Sequence, residues 1–503
     1  MRDAHAVADV RVAEQALMAR LPGGTLMSRA AAGLASVCAG LLGQVYGSRV
    51  AILVGSGDNG GDALYAGALL AGRGGAVTAI AAGERVHAGG MAALRGAGGR
   101  RLGAGGGLAV AAAVGRADLI IDGLLGIGGR GGLREPAAGL ADLAERARDD
   151  GAVVVAVDLP SGVDADTGVV AGPAIRADVT VTFGTWKPGL LIDPGASHAG
   201  TVELIDIGLG PSLGPPAVSA LQAADVAAIL PRPSAESDKY RRGVLGLLAG
   251  SEQYTGAAVL ATGSAIHGGA GMVRLVSAPS ALTAARQHWP EAVVAVTDAS
   301  APEHSIEAAG RVQAWAAGPG MGTGEDAAGL LAAVLATDLP VLVDADGITI
   351  LAAHRELLPR SAPTVITPHA GELARLTGAD RASIEARRLE HATAAAAELG
   401  VTVLLKGSTT VIAEPGGAVL VNSTGSAWLA TAGSGDVLSG LAGALLAQGI
   451  PAARAAAAAA YLHGIAARLA SRGAPIGASD LITALPAAIR TVTQGSALRP
   501  SAP

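Results

Sequence analysis

The feature that most constrains this fold is a repeated alternation of short apolar runs with longer helical stretches. In the first half, the runs that predict strands are Arg49–Gly55, Asp118–Gly123, Ala152–Leu159, Ala177–Phe183 and Thr201–Ile205. In the second half, they are Gly243–Ala249, Gly271–Val276, Ala314–Ala317, Pro340–Asp344, Thr364–Thr367 and Thr402–Leu405. Short buried strands separated by helices are typical of parallel α/β sheets, so we predict α/β domains.

A single compact core does not accommodate a chain of 503 residues. The stretch Gly208–Pro216 is rich in Pro, Gly and Ser and lacks periodicity, which indicates a linker. The two halves that it separates share no motif. We therefore predict one three-layer domain over residues 1–210 and another over residues 222–495.

Composition excludes several classes of protein. Aromatic residues make up 2% of the chain and the net charge is −6, which argues against a nucleic-acid surface. The single cysteine, Cys38, excludes an internal disulfide and a multi-cysteine zinc site, and we expect it to be a small buried apolar residue. The N-terminus lacks the layout of a signal peptide. The run Ala452–Ala460 is shorter than the about 20 residues of a membrane span, so we expect a packed helix and a soluble cytoplasmic protein.

The first half contains a glycine-rich segment, Gly55–Asp62, between a predicted strand and the helical run Ala63–Ala71. Ligands of parallel sheets bind at the carboxyl ends of strands. Glycines let the backbone approach a ligand, and a helix N-terminus attracts phosphate. The order of glycines differs from the Rossmann fingerprint, and an ordinary turn with a capping Asp would also explain these residues.

Two acidic residues close neighbouring strands. Asp122 precedes the loop Gly126–Gly132, and Asp158 precedes Leu159–Gly162. With Gly55–Asp62, they would place three polar loops at one sheet edge. Oxygen ligands from Asn59, Asp122 and Ser161 suit a hard cation rather than zinc, although the spacing does not identify the cation.

This combination resembles the NAD(P)H-hydrate epimerase domain over about residues 10–210, and Glu14-Gln15 and Leu26-Met27 also fit. The resemblance implies a Rossmann-like fold, a potassium ion on Asn59, Asp122 and Ser161, and a role for Asp158 at the nicotinamide end in proton transfer. Two positions depart from the family pattern: Asp58 stands where Asn is usual, and Ser28 where an acid is usual. The residues that would contact the hydrated nucleotide are Asp58, Asn59, Gly60, Gly61, Asp62, Gly126, Ile127, Gly128, Gly129, Arg130, Gly131, Gly132 and Asp158.

In the second half, the segment Ala432–Asp436 directly precedes an apolar helical run, Val437–Gln448. Amides of Gly433–Asp436 at a helix N-terminus would face an anion. An Asp beside that anion can accept the proton of a hydroxyl that attacks a phosphate. A glycine turn with an Asp in the first helical turn is the alternative interpretation.

Further polar segments follow other predicted strands of the second half. Lys406–Thr410 suits a nucleotide phosphate or ribose, although its lysine precedes the glycine and so does not form a Walker A loop. Thr367–Glu372 contains His369 between loop-forming residues. Val343–Gly347 and Gly318–Gly322 also lie at strand ends.

Together these motifs resemble the ADP-dependent NAD(P)H-hydrate dehydratase domain of the ribokinase-like superfamily, over about residues 222–490. The segments Lys239–Gly243 and Tyr254–Ala257 fit it as well. The resemblance implies that Ala257, Gly320, His369 and Asp436 line the hydrated-nucleotide site. It also implies a homo-oligomer and an adenine-nucleotide site at Lys406, Gly407, Ser408, Thr409, Thr410 and Gly435. We expect a magnesium ion because the phosphates need charge neutralisation.

The predicted function is therefore nicotinamide nucleotide repair. The first domain would epimerise R- and S-NAD(P)HX, and the second would dehydrate S-NAD(P)HX to NAD(P)H while ADP becomes AMP and phosphate. The small molecules NADHX, NADPHX and ADP would be its partners, with neither nucleic acid nor membrane. A small-molecule kinase of the ribokinase-like group is the enzyme alternative, and a first domain that binds without turnover is the second alternative.

Overall fold

The computed structural model describes residues 1–358 and 360–497. The chain forms two compact units. The first is Asp3–Val218, and the second begins at Ser219 and includes Met1–Arg2. The segment Gly208–Pro216, predicted as a linker, lies inside the first unit, because Leu209 is buried in its core.

The first unit contains a seven-stranded parallel sheet with the order β4-β3-β2-β5-β6-β7-β8. The five strands predicted in this half are confirmed, each to within two residues at either end. Two more, β3 and β4, were not predicted; β4 carries two arginines and lies at the sheet edge, where an apolar run is not required. The first strand of the chain, β1 (Arg2–Ala4), belongs to the other sheet. The seven strands of this sheet are β2 (Arg49–Val54), β3 (Ala76–Ala81), β4 (Arg100–Gly103), β5 (Leu119–Gly123), β6 (Val153–Val157), β7 (Val179–Phe183) and β8 (Thr201–Ile205).

Helices cover both faces of this sheet. Successive strand residues point to opposite faces of the sheet and belong to two separate apolar clusters. Ile52 belongs to one cluster and Leu53 to the other. The unit is therefore the three-layer α/β domain that the sequence predicts. Its helices are α1 (Val7–Met18), α2 (Thr25–Leu42), α3 (Asp58–Gly72), α4 (Ala88–Gly96), α5 (Leu108–Gly115), α6 (Ala137–Asp149) and α7 (Gly195–Ala199).

Among the described helices, α2 alone has the length and hydropathy of a membrane-crossing helix. Leu34, Ala35 and Cys38 of this helix are buried in the same cluster as residues of α3. Cys38 is thus the small buried apolar residue that the sequence predicts. A core helix of an α/β domain can have the same length and hydropathy as a membrane-crossing helix.

The second unit is built around one large sheet with the order β1-β9-β18-β17-β16-β15-β14-β13-β10-β11-β12. The strands from β10 to β16 pair in parallel, whereas β17 runs antiparallel to both its neighbours. Its strands are β9 (Val218–Ala220), β10 (Val244–Leu248), β11 (Met272–Ser277), β12 (Val293–Val296), β13 (Ala314–Ala317), β14 (Val341–Val343), β15 (Thr364–Ile366), β16 (Thr402–Leu405), β17 (Thr410–Ala413) and β18 (Val419–Asn422).

The six strands predicted in this half are confirmed, and the hairpin of β17 and β18 was not predicted. The run Ala452–Ala460 is buried within α18, as the sequence analysis expected. The helices are α8 (Ala223–Ile229), α9 (Thr255–His267), α10 (Pro279–His288), α11 (Pro302–Ala308), α12 (Glu325–Leu335), α13 (Asp346–Ala353), α14 (Ala370–Thr377), α15 (Arg381–Ala386), α16 (Arg388–Leu399), α17 (Ser434–Ala447), α18 (Ala452–Ser471) and α19 (Ala478–Ala497).

Each sheet has one point at which the order of strands reverses. In the first unit the chain moves outward from β2 through β3 to β4 and returns to β5 on the other side of β2. In the second unit it moves from β10 through β11 to β12 and returns to β13 on the other side of β10. The loops that follow the two strands at such a point diverge and leave a crevice, where ligands of α/β sheets bind.

Candidate active sites

A cavity of about 800 Å³ lies at the crevice of the first unit. Its walls come from the loops after β2 and β5, from α1 and from the end of β6. Three residues of the predicted set, Gly60, Gly61 and Gly131, lie outside the lining as described. The predicted residues that do line the cavity are Asp58, Asn59, Asp62, Gly126, Ile127, Gly128, Gly129, Arg130, Gly132 and Asp158.

Gly60 and Gly61 are buried in the first turns of α3 and serve packing. A β-carbon at Gly60 would lie 2.5 Å from the carbonyl oxygen of Gly55, and one at Gly61 would lie 2.9 Å from the ring of His87. Gly60 therefore lets α3 approach the loop that precedes it, and Gly61 lets α3 approach His87 at the start of α4.

Asp158 and Lys187 form a buried ion pair at the cavity wall. The carboxylate also accepts hydrogen bonds from Thr182 Oγ1 at 3.0 Å and from the Phe183 amide at 3.3 Å. The ammonium also donates to Thr182 Oγ1 at 3.0 Å and to the Phe183 carbonyl at 3.1 Å. Asp158 has φ of 67°, a left-handed conformation that costs free energy in a non-glycine residue and is concentrated at functional sites.

The sequence analysis did not single out Lys187. The residue belongs to no recognised motif and follows β7, which neighbours β6 in the sheet and ends at the same edge. Its signal in the sequence is a lone lysine between Trp186 and Pro188, just after an apolar strand. The side chain is only 1% exposed, so it requires a carboxylate partner, which Asp158 provides.

Two further carboxyl groups in this cavity have raised pKa values. Burial, followed by the charges of Asp158, Asp58 and Glu14, raises the pKa of Asp62 to about 8. Burial, followed by the charge of Asp158, also raises the pKa of Glu14. Oδ1 of Asp62 is buried and has no hydrogen-bond partner among the described residues. Asp62 is therefore a carboxylic acid at neutral pH and can donate a hydrogen bond to a ligand.

The three residues predicted to hold a cation lie around the loop after β5. Ser161 Oγ donates to Asp122 Oδ1 at 2.7 Å, and the Ser161 amide donates to Oδ2 at 2.8 Å. Burial raises the pKa of Asp122 to about 6. A β-carbon at Gly126 would lie 2.9 Å from Asn59 Oδ1, so the amide of Asn59 packs against the same loop.

A second cavity, of about 460 Å³, lies at the crevice of the second unit. Ala257, Gly320 and Asp436 line it, as predicted, and so do Tyr254 and Asp346. Gly320 has φ of 60°, and a β-carbon there would lie 2.7 Å from that of Ala257. The close approach of these two segments therefore requires glycine.

His369 is placed differently from the other residues predicted to bind the substrate. It caps the N-terminus of α14, where its Nδ1 accepts hydrogen bonds from the amides of Gly371 at 3.0 Å and Glu372 at 3.1 Å. The described residues that line the cavity around Asp436 do not include it. This contact is a helix-capping one.

Helix α17 begins directly after Gly433, whose φ is 86°, and Asp436 lies in its first turn. The backbone amides of a first helical turn have no partner inside the helix, so they are available to an anion. Burial, followed by the charge of Asp344, raises the pKa of Asp436 to about 7, with Asp346 adding to the effect and Lys406 opposing it. Its carboxyl group is thus poised to exchange a proton near neutral pH.

Lys406 lies beside this turn. Its Nζ donates to Asp344 Oδ1 at 2.8 Å and lies 3.7 Å from Glu372 Oε2. A β-carbon at Gly435 would lie 3.6 Å from the same Nζ. Of the predicted nucleotide residues, Lys406 and Gly435 therefore lie at the turn of Asp436. Gly407, Ser408 and Thr409 follow Lys406 in the β16–β17 connection, and Thr410 begins β17.

The sequence analysis also missed Arg388, the first residue of α16. A β-carbon at Gly407 would lie 1.9 Å from Arg388 Nη1, so the guanidinium rests on the backbone of that glycine. The same nitrogen donates to the Lys406 carbonyl at 3.3 Å. Arg388 therefore supports the β16–β17 connection, although the helix that carries Arg388 contains no recognised motif.

Two family sequence models match this chain. Residues 23–189 match the YjeF-related protein N-terminus, and residues 245–487 match NAD(P)H-hydrate dehydratase. The bifunctional NAD(P)H-hydrate repair enzyme Nnr of Mycobacterium leprae is 48% identical over 475 residues, covering 93% of this chain and 94% of the relative. This chain belongs to the bifunctional NAD(P)H-hydrate repair enzyme family. The relative from Moorella thermoacetica is 35% identical and covers 90% of this chain and 89% of its own length.

Solved structures match the second half of the chain. The ADP/ATP-dependent NAD(P)H-hydrate dehydratase of Bacillus subtilis, co-crystallised with ATP and Mg²⁺, is 30% identical with a TM-score of 0.50, covering 55% of this chain and 99% of that one. A ribokinase-like superfamily protein of Enterococcus faecalis is 26% identical, also with a TM-score of 0.50, covering 55% and 97%. The predicted fold class is confirmed, and the chain is an enzyme that combines NAD(P)H-hydrate epimerase and dehydratase activities.

Proposed function

We propose that the first cavity interconverts the R and S epimers of NAD(P)HX and that the cavity around Asp436 dehydrates the S epimer with ADP. The observation that carries this proposal is Asp436 itself. It is a partly buried carboxyl group with a pKa of about 7, in the first turn of a helix whose N-terminal amides have no partner inside the helix. A proton acceptor beside an anion site is what phosphorylation of a hydroxyl requires.

In the proposed dehydration, the substrate hydroxyl is made into a better leaving group. Asp436 accepts the hydroxyl proton while the oxygen attacks the terminal phosphorus of ADP, and the bond from that phosphorus to AMP breaks. The amides of Gly433–Gly435 stabilise the transferring phosphoryl group. Phosphate then leaves, driven by the ring nitrogen lone pair, and the neighbouring ring carbon loses a proton to give NAD(P)H.

The nucleotide would occupy the region of Lys406–Thr410 and Gly435, beside the phosphate-binding turn. No group of three His, Cys, Asp or Glu side chains able to hold a metal is found in residues 1–358 and 360–497. A magnesium ion bound chiefly by phosphate oxygens fits such a site, because Mg²⁺ commonly enters with its nucleotide. It would neutralise the phosphate charge. The Bacillus subtilis dehydratase that was co-crystallised with ATP and Mg²⁺ supports this assignment.

The proposed epimerisation uses the buried pair of Asp158 and Lys187. The carbon that bears the hydroxyl is bonded to the ring nitrogen, so loss of the hydroxyl proton allows that carbon–nitrogen bond to open and to close again on the opposite face. Asp158 would accept the proton. Lys187, which is bound to Asp158, or the neutral Asp62 would supply one to the nitrogen side.

The substrate phosphates would lie at the N-terminus of α3 and on the loop of residues 126–132. Arg11, Arg130 and Arg134 line this cavity and supply positive charge. Asp58 opposes them at the first position of α3, where its charge already interacts with the positive end of the helix.

A potassium ion would be held by oxygens of Asn59, Asp122 and Ser161. Asn59 would offer the ion its Oδ1, whereas its buried Nδ2, a donor with no hydrogen-bond partner among the described residues, would serve an acceptor atom of the nucleotide. Hard oxygen donors suit an alkali cation. The ion would neutralise the buried Asp122 carboxylate and order the loop after β5.

Assembly as a homo-oligomer and action in the cytoplasm stay predictions. The acidic balance of the chain and its single, buried cysteine support a compartment where thiols remain reduced.

The deciding experiment follows recovery of reduced-nicotinamide absorbance from mixed NADHX epimers with magnesium and either ADP or ATP. Full recovery with ADP supports both halves of the proposal. Recovery of only one epimer identifies a working dehydratase beside an inactive epimerase and directs attention to Asp58. No recovery, together with a stable phosphorylated product from an alcohol and ATP, would establish the kinase alternative.

A further inference from the structure

A buried polar cluster lies behind Asp436, outside the cavity that the substrate would enter. Its centre is Asp344, at the end of β14, which is 1% exposed. Lys406 Nζ donates to Oδ1 at 2.8 Å, and Ser439 Oγ donates to Oδ2 at 2.6 Å. The two carboxylate oxygens are therefore held by donors from two different elements, the end of β16 and helix α17.

The same cluster reaches the phosphate-binding turn. Ser439 Oγ also lies 3.1 Å from the Gly435 carbonyl oxygen, and a β-carbon at Gly435 would lie 3.7 Å from Asp344 Oδ2. The residue after Asp344, Ala345, has φ of 51°. A left-handed alanine is strained, and such strain persists only where the surrounding structure imposes it. Asp344 and Asp346 thus flank a residue, Ala345, whose backbone conformation is constrained.

Asp344 carries a permanent charge. Burial opposes that charge most strongly, but the Lys406 ammonium and hydrogen bonds from Lys406, Ser439 and Thr367 hold the pKa of Asp344 below its usual value. This charge is the second cause, after burial, of the raised pKa of Asp436.

Of the other charged groups around Asp436, some raise its pKa and some lower it. Asp346 raises its pKa, and Lys406 lowers it. The pKa of Lys406 is raised overall. Burial lowers it, but the charges of Asp344 and of Glu372, which faces Lys406 from α14, raise it. His463 faces Lys406 from α18, and burial lowers the pKa of this histidine to about 4, so it is neutral where the enzyme works.

We propose that Asp344 is a positioning residue for the dehydration. Its carboxylate holds Lys406 and Ser439 against the phosphate-binding turn and keeps a fixed negative charge beside the general base Asp436. The cavity lining does not include Asp344, so it acts on the reaction through these neighbours. The inference rests on the proposed role of Asp436 and adds the group that adjusts that role to neutral pH.

The test is the pH profile of kcat for dehydration, measured with ADP on the full chain. Asp436 must be ionised to accept a proton, so the rate falls as the pH drops through its pKa. In Asp344→Asn the neighbouring negative charge is absent and the pKa of Asp436 falls. We expect the acid limb of the profile to move down by about one to two pH units.

Ser439→Ala is the matched variant, because it retains the charge of Asp344 and removes one contact to the turn. We expect an unchanged acid limb and a several-fold higher KM for ADP. An acid limb that Asp344→Asn leaves in place, in a protein whose thermal unfolding still responds to ADP, would overturn the proposal.

Loss of one partner from a buried ion pair is destabilising, so Asp344→Asn is accompanied by Asp344→Glu, which keeps the charge. If only the latter folds, it should show the wild-type acid limb with a several-fold lower kcat. A wild-type kcat and KM for ADP in both Asp344→Glu and Ser439→Ala would refute the positioning role.

The role of Asp436 is tested separately with Asp436→Asn. That variant should lose the acid limb together with the activity. An active Asp436→Asn variant that retains the limb would reject Asp436 as the base. The effect of Ser439→Ala on the KM for ADP would then still report whether Asp344 and Ser439 position the turn.

Discussion

Replacing Asp436 by asparagine should abolish dehydration and at the same time stabilise the folded protein. The substitution keeps the shape of the side chain and removes its charge. Activity should fall by about 10²–10⁴-fold, the usual loss when a general base is removed. Stability should rise because the ionised carboxylate lowers the free energy of unfolding. The raised pKa of Asp436 measures this effect.

The size of that cost follows from the pKa. The pKa of Asp436 is about 7 in the folded protein, against an ordinary value of 3.8. At about 1.4 kcal/mol for each pKa unit, the ionised group would cost roughly 4 kcal/mol above pH 7. The side chain is partly exposed, so solvent screening reduces this to about 1–2 kcal/mol.

The sign of the pH dependence is fixed by the direction of the shift. A carboxyl group whose folded pKa is raised binds more protons in the native state than in the unfolded state between the two pKa values. The cost is absent below the unfolded pKa, grows as the pH rises, and is complete above pH 7. Asp436→Asn should therefore gain more stability at pH 8 than at pH 5.

Thermal unfolding at these two pH values, with the dehydration rate measured beside it, tests the reasoning. A gain of about 1–2 kcal/mol corresponds to an increase in Tm of roughly 2–8 °C for a unit of this size. Asp326→Asn is the control, since Asp326 also lies in the first turn of a helix, α12, but is exposed. A variant that is inactive yet no more stable at pH 8 than at pH 5 would refute the account of Asp436 as a destabilised buried base.

Three further predictions concern the separate sites. Asp158→Ala should slow epimer exchange, followed by chromatography of the two epimers, and leave dehydration of S-NADHX intact; equal loss of both activities would contradict two sites. Ser161→Ala should raise the potassium concentration that gives half-maximal epimerase activity, and an unchanged potassium dependence would reject the cation assignment. Gly407→Ala should displace the Arg388 guanidinium, because a β-carbon would lie 1.9 Å from Nη1. The KM for ADP should then rise several-fold in a steady-state assay, whereas an unaltered KM would separate this connection from the nucleotide.

The local sequence pattern was sufficient to locate the edge of each sheet at which the parallel strands end. Strands such as β5 and β13 end at a Gly or Asp after a short apolar run, and parallel pairing places these ends at one edge. The pattern therefore predicts ligand sites at the loop Gly55–Asp62 and at the turn before Asp436. Edge strands with polar residues, such as β4, and the antiparallel hairpin of β17 and β18 lack that signal and were missed.

Tertiary structure decided which side chains meet. Lys187 lies 29 residues after Asp158, and Lys406 lies 62 residues after Asp344; in each case separate strand ends bring the buried charges together. Tertiary structure also placed His369 in a helix cap, and Gly60 and Gly61 in packing contacts. A sequence motif records backbone conformation and residue type over a few positions, whereas charge pairing and burial depend on the order of strands in the sheet. The sequence by itself therefore determined the fold class, the family and the positions of the loops, and only the folded chain determined how the groups in those loops are ionised and held.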